Sequence, residues 1–185
     1  MSLIFLKTLL PTFVYKHLKD VANESIIKTI TSNISAVIFF FLNNSDTKCK
    51  SCNDIVVWDK PGKLNRFTIV YILHSLIFNA RVALLIQTNE LSPVYSITNI
   101  FNSAGWAERE IWDLFGIFII NNNDLRRILT DYGFNGHPLR KDFPLTGFVE
   151  STYDDLQKRI EFTKVELTQA YRIFKYPLRW AHEYN

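Results

Sequence analysis

This chain lacks the local signatures that usually announce chemistry. It has no G-x-G-x-x-G, so a Rossmann nucleotide site is without its fingerprint, and neither a P-loop nor a G-x-S-x-G occurs. The histidines His17, His74, His137 and His182 are scattered, with no H-x-x-x-H spacing for a metal. Basic residues come in pairs (Arg126-Arg127, Arg140-Lys141, Lys158-Arg159) and never as a run of five, which disfavours a polyanion-binding strip. Cysteine is limited to Cys49 and Cys52. A structural zinc or a cubane iron–sulfur cluster wants four ligands, and there is no second pair. A thioredoxin-like C-x-x-C should open a helix in a βαβ context, whereas this one sits in a polar stretch. The sequence therefore predicts a surface loop with two thiols. No internal repeat or low-complexity segment is present, and glycine is only 6 of 185 residues.

What the chain does have is a globular balance: 48% hydrophobic and 21% charged residues, 15 phenylalanines, and a formal charge of +3. That length suffices for one core and an extra arm rather than two full domains. The N-terminus, MSLIFLKTLLPTFVYKHLKD, lacks the Arg- and Ser-rich character and the small-residue cleavage site of a targeting signal, and reads as an amphipathic helix over residues 3–19. No stretch reads as a membrane span. The tempting window, residues 69–86, contains His74, Asn79 and Arg81, and two core-facing strands explain it better.

Residues 35–42 (SAVIFFFL) read as a fully buried strand and residues 26–30 as a short β-branched one. Residues 43–53 read as a polar loop. Residues 54–58, 67–73 and 81–87 follow as strands, the first closed by a Lys60-Pro61-Gly62 turn. Ser92-Pro93 is placed to start a helix running to about Phe101. Strands followed by helices, without βαβ alternation, argue for an α+β class: a small mixed sheet with flanking helices.

Residues 106–148 organise the rest. Trp106 to Phe115 has helical spacing and meets Gly116, a helix stop. The apolar residues 117–120 and a turn-rich Asn121-Asn122-Asn123-Asp124 follow. Beyond lies a charged segment punctuated by Gly133, Gly136, Pro138, Pro144 and Gly147, with no regular period. Such a segment cannot easily make its own core yet is too apolar for a disordered tail. It reads as an arm built to lie on something else, which divides the chain into a globular domain over residues 1–120 and an extended arm over 121–185, with a short helix near its end.

On the helical wheel Glu108 and Glu110 diverge by about 200°, so they are no carboxylate dyad. Ala107, Ile111, Trp112, Leu114 and Phe115 form one stripe with Glu108 inside it. Arg109 and Asp113 fall opposite, at i,i+4 spacing. A carboxylate on an apolar stripe must be paired. The expectation is a structural anchor, salt-bridged to Arg126, Arg127 or a partner chain.

Three motifs in order, Glu108-Arg109-Glu110-x-x-Asp113-Leu114-Phe115, then Leu125-Arg126-Arg127-Ile128-Leu129-Thr130-Asp131-Tyr132-Gly133-Phe134, then Gly136-His137-Pro138-Leu139-Arg140-Lys141-Asp142-Phe143-Pro144-Leu145, closely resemble the 30-kDa-type subunit family of respiratory complex I, the proton-pumping NADH:ubiquinone oxidoreductase. The resemblance is dense over residues 64–153 and faint before Ser51. One departure is Asn122-Asn123, where the family usually has His-Pro; two asparagines can still turn the chain.

The resemblance implies a cofactor-free subunit of the hydrophilic arm, on the matrix side of the mitochondrial inner membrane, with no catalytic residue of its own. NADH, FMN, iron–sulfur clusters and ubiquinone would belong to partner subunits. The arm would lie along the large hydrogenase-like subunit that shapes the quinone site. Arg126, Arg127, Arg140 and Lys141 would then meet carboxylates across that interface. Asp131-Tyr132-Gly133, His137-Pro138, Asp142 and Pro144 would fix the arm's path. A stand-alone enzyme using Glu108 or His137, or an RNA-binding module, would need motifs that are missing, including the RNP1-like pattern.

Overall fold

A computed structural model describes residues 14–19, 25–169, 171, 172 and 174. By internal contacts the chain divides into two units, Met1–Phe143 and Pro144–Asn185. The segment 121–143, expected to open a separate arm, thus groups with the first unit.

The first unit is built on a five-stranded mixed sheet. Its strands are β1 (Val14–Lys19), β2 (Ser25–Thr29), β3 (Ser51–Asp59), β4 (Phe67–Ser75) and β5 (Ala80–Thr88), in the order β1-β2-β5-β4-β3. Neighbours are antiparallel except β2 and β5, which run parallel from Ser25↔Val82 to Lys28↔Leu85. The apolar window 69–86 is indeed two strands, paired Phe67↔Thr88 to Ser75↔Ala80. β4 lies inside the sheet and is buried on both faces over Phe67 to Tyr71, which is why it reads as a continuous apolar run. β5 alternates, burying Val82, Leu84, Ile86 and Thr88.

Three sequence expectations are corrected here. Residues 14–19, expected in a helix, form β1, held by its ladder to β2; residues 3–13 lie outside the described residues. The run 35–42, expected as a strand, is helix α1 (Ile34–Asn43). It buries Ile34, Val37, Ile38 and Phe41, the i, i+3, i+4, i+7 positions, and turns Phe39 outward. A short all-apolar run satisfies either period, and packing on the sheet selected the helical one. The helix stops at Asn44, whose N–H donates to the Phe40 carbonyl, while the Thr47 hydroxyl donates to that of Phe41.

Residues 92–101 are the third correction. Instead of a helix, Val94 and Tyr95 form β6 (Val94–Tyr95), parallel to β7 (Ile119–Ile120). Ser92 caps nothing: its N–H donates to the Asn89 side chain in an Asx turn. β-Forming Val94 and Tyr95 gain two ladder bonds, Val94 N–H to Phe118 and Ser96 N–H to Ile120, that a helix would forfeit.

Helix α2 (Ala104–Phe115) forms as predicted and ends at Gly116, whose φ of 72° only glycine adopts without strain. One continuous core joins both helices to the sheet, including Phe41, Phe67, Leu73, Leu84, Ile97 and Ile111. The second unit contains an antiparallel hairpin, β8 (Val149–Asp154) and β9 (Arg159–Lys164). Ile160 and Phe162 fall two residues apart on β9 and so share a face. Of the stretch expected to hold a short helix, residues 165–169, 171, 172 and 174 carry none; residues 170, 173 and 175–185 lie outside the described residues.

Candidate functional site

Helix α2 carries three buried charges, Glu108, Arg109 and Asp113, on opposite sides of one short helix. Glu108 is 1% exposed. Its Oε1 accepts the Ile97 N–H at 2.8 Å, and its Oε2 accepts the Ser96 hydroxyl at 2.6 Å and the Asn122 side-chain amide at 2.8 Å. The anchor predicted from the wheel exists, but its partners are correctly aimed neutral donors. Neither Arg126 nor Arg127 reaches it. A buried carboxylate held by three donors avoids the desolvation cost of a buried guanidinium. Its charge, after burial, adds to the rise of the Tyr71 hydroxyl's pKa above the ordinary range.

Asn122 does two jobs. It donates to Glu108, and its Oδ1 accepts the Asp124 N–H at 2.9 Å, making an Asx turn. Asn121, at φ 63°, completes the reversal.

The other side of α2, opposite the apolar stripe, lies beneath residues 121–140. Asp113 is fully buried. Its Oδ2 accepts the N–H groups of Ile128, Leu129 and Thr130 at 3.1, 2.7 and 3.0 Å, and its Oδ1 accepts the Thr130 hydroxyl at 2.6 Å. Burial alone would raise its pKa; the Thr130 hydroxyl and the three N–H groups outweigh it and hold the carboxyl at about 2. Arg109 stacks on Trp106 at 4.4 Å and pairs with Asp124 at 3.6 Å, in place of the expected pair with Asp113.

Two arginines close the segment over the helix. Arg127 donates to the Phe134 carbonyl at 2.8 Å and the Gly136 carbonyl at 3.1 Å, with Nε 3.9 Å from Asp113. Arg140 donates from Nε to the Phe115 carbonyl at 2.6 Å, taking up an orphan acceptor at the negative end of α2. His137 Nδ1 lies 2.9 Å from the Asp113 carbonyl, and its ring packs 5.9 Å from Trp112. A Cβ on Gly116 would come within 2.5 Å of the His137 ring, so glycine here serves both the backbone and this contact.

A second charge cluster ties the segment's end to the sheet. Asp59, at the inward phase of β3, takes a two-pronged bond from Arg66 (2.7 and 2.6 Å) and the Lys141 backbone N–H at 2.9 Å. Arg66 also pairs with Asp142 at 3.0 Å and with Glu90, which Arg140 approaches at 3.6 Å. The Arg66 guanidinium holds both the Asp59 and Asp142 carboxyls below the usual range.

Of the sequence-predicted residues, Glu108, Arg109, Asp113, Arg127, His137 and Arg140 are thus brought together around α2. Arg127 and Arg140, expected to reach carboxylates of a partner, are spent inside this chain. Glu110, Asp131, Tyr132, Gly133 and the Lys141 side chain face solvent, and Arg126 pairs with Asp124 at 3.0 Å. Pro138 is half-buried in the turn before Arg140, and Pro144 opens the second unit. Sequence reasoning missed Asp59, Arg66, Ser96 and Thr130. Asp59 had a signal, since it falls in phase with the inward Ile55 and Val57. Arg66 had none.

The cysteines also depart from expectation. Cys49 is 1% and Cys52 6% exposed, packed in the core rather than on a surface loop. Burial pushes both thiols up to about 11, Cys52 with help from Asp54 and Glu108. Chemically, the arrangement around α2 clamps: the acceptors of Glu108 and Asp113 and the Nδ1 of His137 are all engaged in holding chain segments together.

The family described as the 30 Kd subunit of respiratory-chain NADH dehydrogenase matches residues 27–149. The chain belongs to this family. Its clamp and both charge clusters lie inside the matched span, and so does every residue of the three motifs. Similar proteins include NADH-ubiquinone oxidoreductase subunit 9 of Reclinomonas americana, 49% identical over 149 residues, which cover 80% of this chain and 73% of that one. NADH dehydrogenase [ubiquinone] iron-sulfur protein 3 of Marchantia polymorpha is 43% identical over 180 residues, 96% and 92% of the two chains. A chain from the membrane-bound sulfane sulfur reductase, an archaeal respiratory membrane complex, superposes with a TM-score of 0.65 at 17% identity, covering 77% of this chain and 85% of that one, and so shares its fold. The 30 Kd family thus brings this chain into NADH-ubiquinone oxidoreductase as a subunit. Among the described residues, no helix is long and apolar enough to cross a membrane.

Proposed function

We propose that this chain is a cofactor-free scaffold of complex I, working in the hydrophilic arm on the matrix side of the mitochondrial inner membrane. It supports electron transfer from NADH to ubiquinone by holding the quinone-site subunit and neighbouring iron–sulfur subunits in place. NADH, FMN, clusters and ubiquinone sit in those neighbours.

The observation that carries this reading is how the signature residues are used. Glu108, Asp113, Arg127 and Arg140 are consumed in closing residues 121–140 over α2, with no acid and base left facing a shared space. The outward surface carries large apolar side chains among its polar ones: Trp106, Phe118, Leu129 and Leu139 are all more than half exposed, and Tyr132 is 99% exposed. Such a surface suits a large obligate interface. In the hairpin of the second unit, register puts Val149, Ser151 and Tyr153 on one face with Ile160, Phe162 and Lys164. The tyrosine, isoleucine and phenylalanine are exposed there, as a docking arm requires.

Some relatives are named iron-sulfur proteins, yet the donor set here does not fit a cluster. The chain has two thiols where four ligands are wanted, both buried and held in the neutral form. The same burial argues against a stand-alone thiol redox module.

A native gel of mildly solubilised mitochondrial membranes, probed for this chain and stained for NADH oxidation, tests the proposal. The expected result is co-migration with a very large NADH-oxidising band. A chain that runs only as a small separate species would end this reading.

A further inference from the structure

We propose that a groove between the end of β3 and residues 139–141 seats an acidic, apolar-anchored peptide segment of a neighbouring complex I subunit. This rests on the scaffold reading above and names the chemistry of one of its contacts. The groove has a volume of about 550 Å³. Trp58, Phe115 and Leu139 line it, and Lys60 and Lys141 stand beside them.

Apolar exposure and unspent positive charge meet here. Trp58 is 39% and Leu139 52% exposed, so the groove offers an aromatic and an aliphatic wall to a visiting side chain. Lys60 Nζ lies 5.2 Å from the centre of the Trp58 ring, held at the groove's edge. The nearby carboxylates are already engaged. Asp59 is bound by Arg66 and the Lys141 N–H, while Asp142 and Glu90 are held by Arg66, and Glu90 also by Arg140. Among the described residues neither Lys60 nor Lys141 is in an ion pair, although the Lys141 charge helps to hold the Asp59 carboxyl down, so both ammonium groups stay available at the groove's edge. An occupant that matches it brings an apolar side chain for the wall and carboxylates for the lysines.

The backbone favours a peptide. β3 is the last strand of the sheet, paired only with β4 among the described residues, and the groove lies at its C-terminal end. An extended segment entering here would find polar backbone groups beside the apolar wall.

The test uses the assembled complex in its membrane. Lysine acetylation is compared between the complex and the free chain, and a zero-length carbodiimide is used to join ammonium groups to touching carboxylates, both read by mass spectrometry. The expected result is about tenfold slower acetylation of Lys60 and Lys141 in the complex, with links from them to Asp or Glu of another subunit. A Lys60→Glu, Lys141→Glu double variant should lower the chain's share in the large complex about tenfold, while Lys60→Arg, Lys141→Arg restores it. Equal acetylation in both states overturns the proposal, as do links confined to this chain. Protection without links that disappears on delipidation also overturns it, and assigns the groove to an anionic lipid headgroup. Absence of the chain from any NADH-oxidising complex overturns the scaffold reading and this contact together. The other three results overturn the contact alone.

Discussion

Asp113 shows how much one side chain can organise. It is buried, accepts four hydrogen bonds from residues fifteen to seventeen positions later, and is held at about 2. A carboxyl depressed from 3.8 stabilises the fold above its unfolded pKa, and that contribution is lost as pH falls through the folded value. Stability should therefore drop between about pH 5 and pH 2, with Asp59 and Asp142 acting in the same direction. Asp113→Asn should cost about 2 kcal/mol at pH 7 and flatten the acid limb, measured by urea unfolding at several pH values. An unchanged acid limb would contradict the assignment. Glu108→Ala strands the Ser96 hydroxyl, the Ile97 N–H and the Asn122 amide in the core. The expected loss is about 3 kcal/mol, with failure to assemble into the complex; a normal melting temperature and normal assembly would refute it. Cys49 and Cys52, buried and shifted upward, should resist maleimide at neutral pH until the chain is unfolded. Prompt labelling of the native protein would contradict their burial.

Among the elements, α2 and the segment after it behave as one piece. The helix has a polar side that would normally face water, and residues 121–140 cover it using Asp113 below and Arg127 within the segment. Arg127→Met keeps the stem's length but removes the donors to Phe134 and Gly136. The segment should then open locally and be cut by trypsin at Arg126 at least about tenfold faster, because a loop with unpaired carbonyls loses its protection. The sheet should stay intact, since no strand depends on those bonds. Unchanged digestion would show that Asp113 alone suffices.

The whole molecule combines a well-packed mixed-sheet unit with a second unit whose described residues include a hairpin. Two-stranded hairpins are marginal in water on their own, and this one exposes Tyr153, Ile160 and Phe162 on a shared face. A subunit that spends several of its signature charges internally and shows large apolar side chains outward fits the proposed scaffold role, which is why the native-gel experiment is the decisive one at this scale. It also explains why the formal charge of +3 says little about partners: paired carboxylates and guanidinium groups around α2 and Arg66 neutralise one another.

The sequence alone determined the α+β class, the β3–β4–β5 strands, helix α2 with its glycine stop, and the buried Glu108, because each rests on a period or stop signal that acts locally. The three motifs determined the family. Tertiary structure decided the rest. Ile34–Asn43 became a helix because a continuous apolar run fits two periods and only the packed partner chooses. Val94–Tyr95 became a strand because Phe118 and Ile120 supply ladder partners more than twenty residues away. Asp113 and Arg109 are buried because a later segment folds over the face opposite the apolar stripe, which the helical wheel alone does not reveal. Arg127 and Arg140 turned inward for the same reason: backbone carbonyls freed by irregular turns and by a helix end needed donors, and no local pattern records that need.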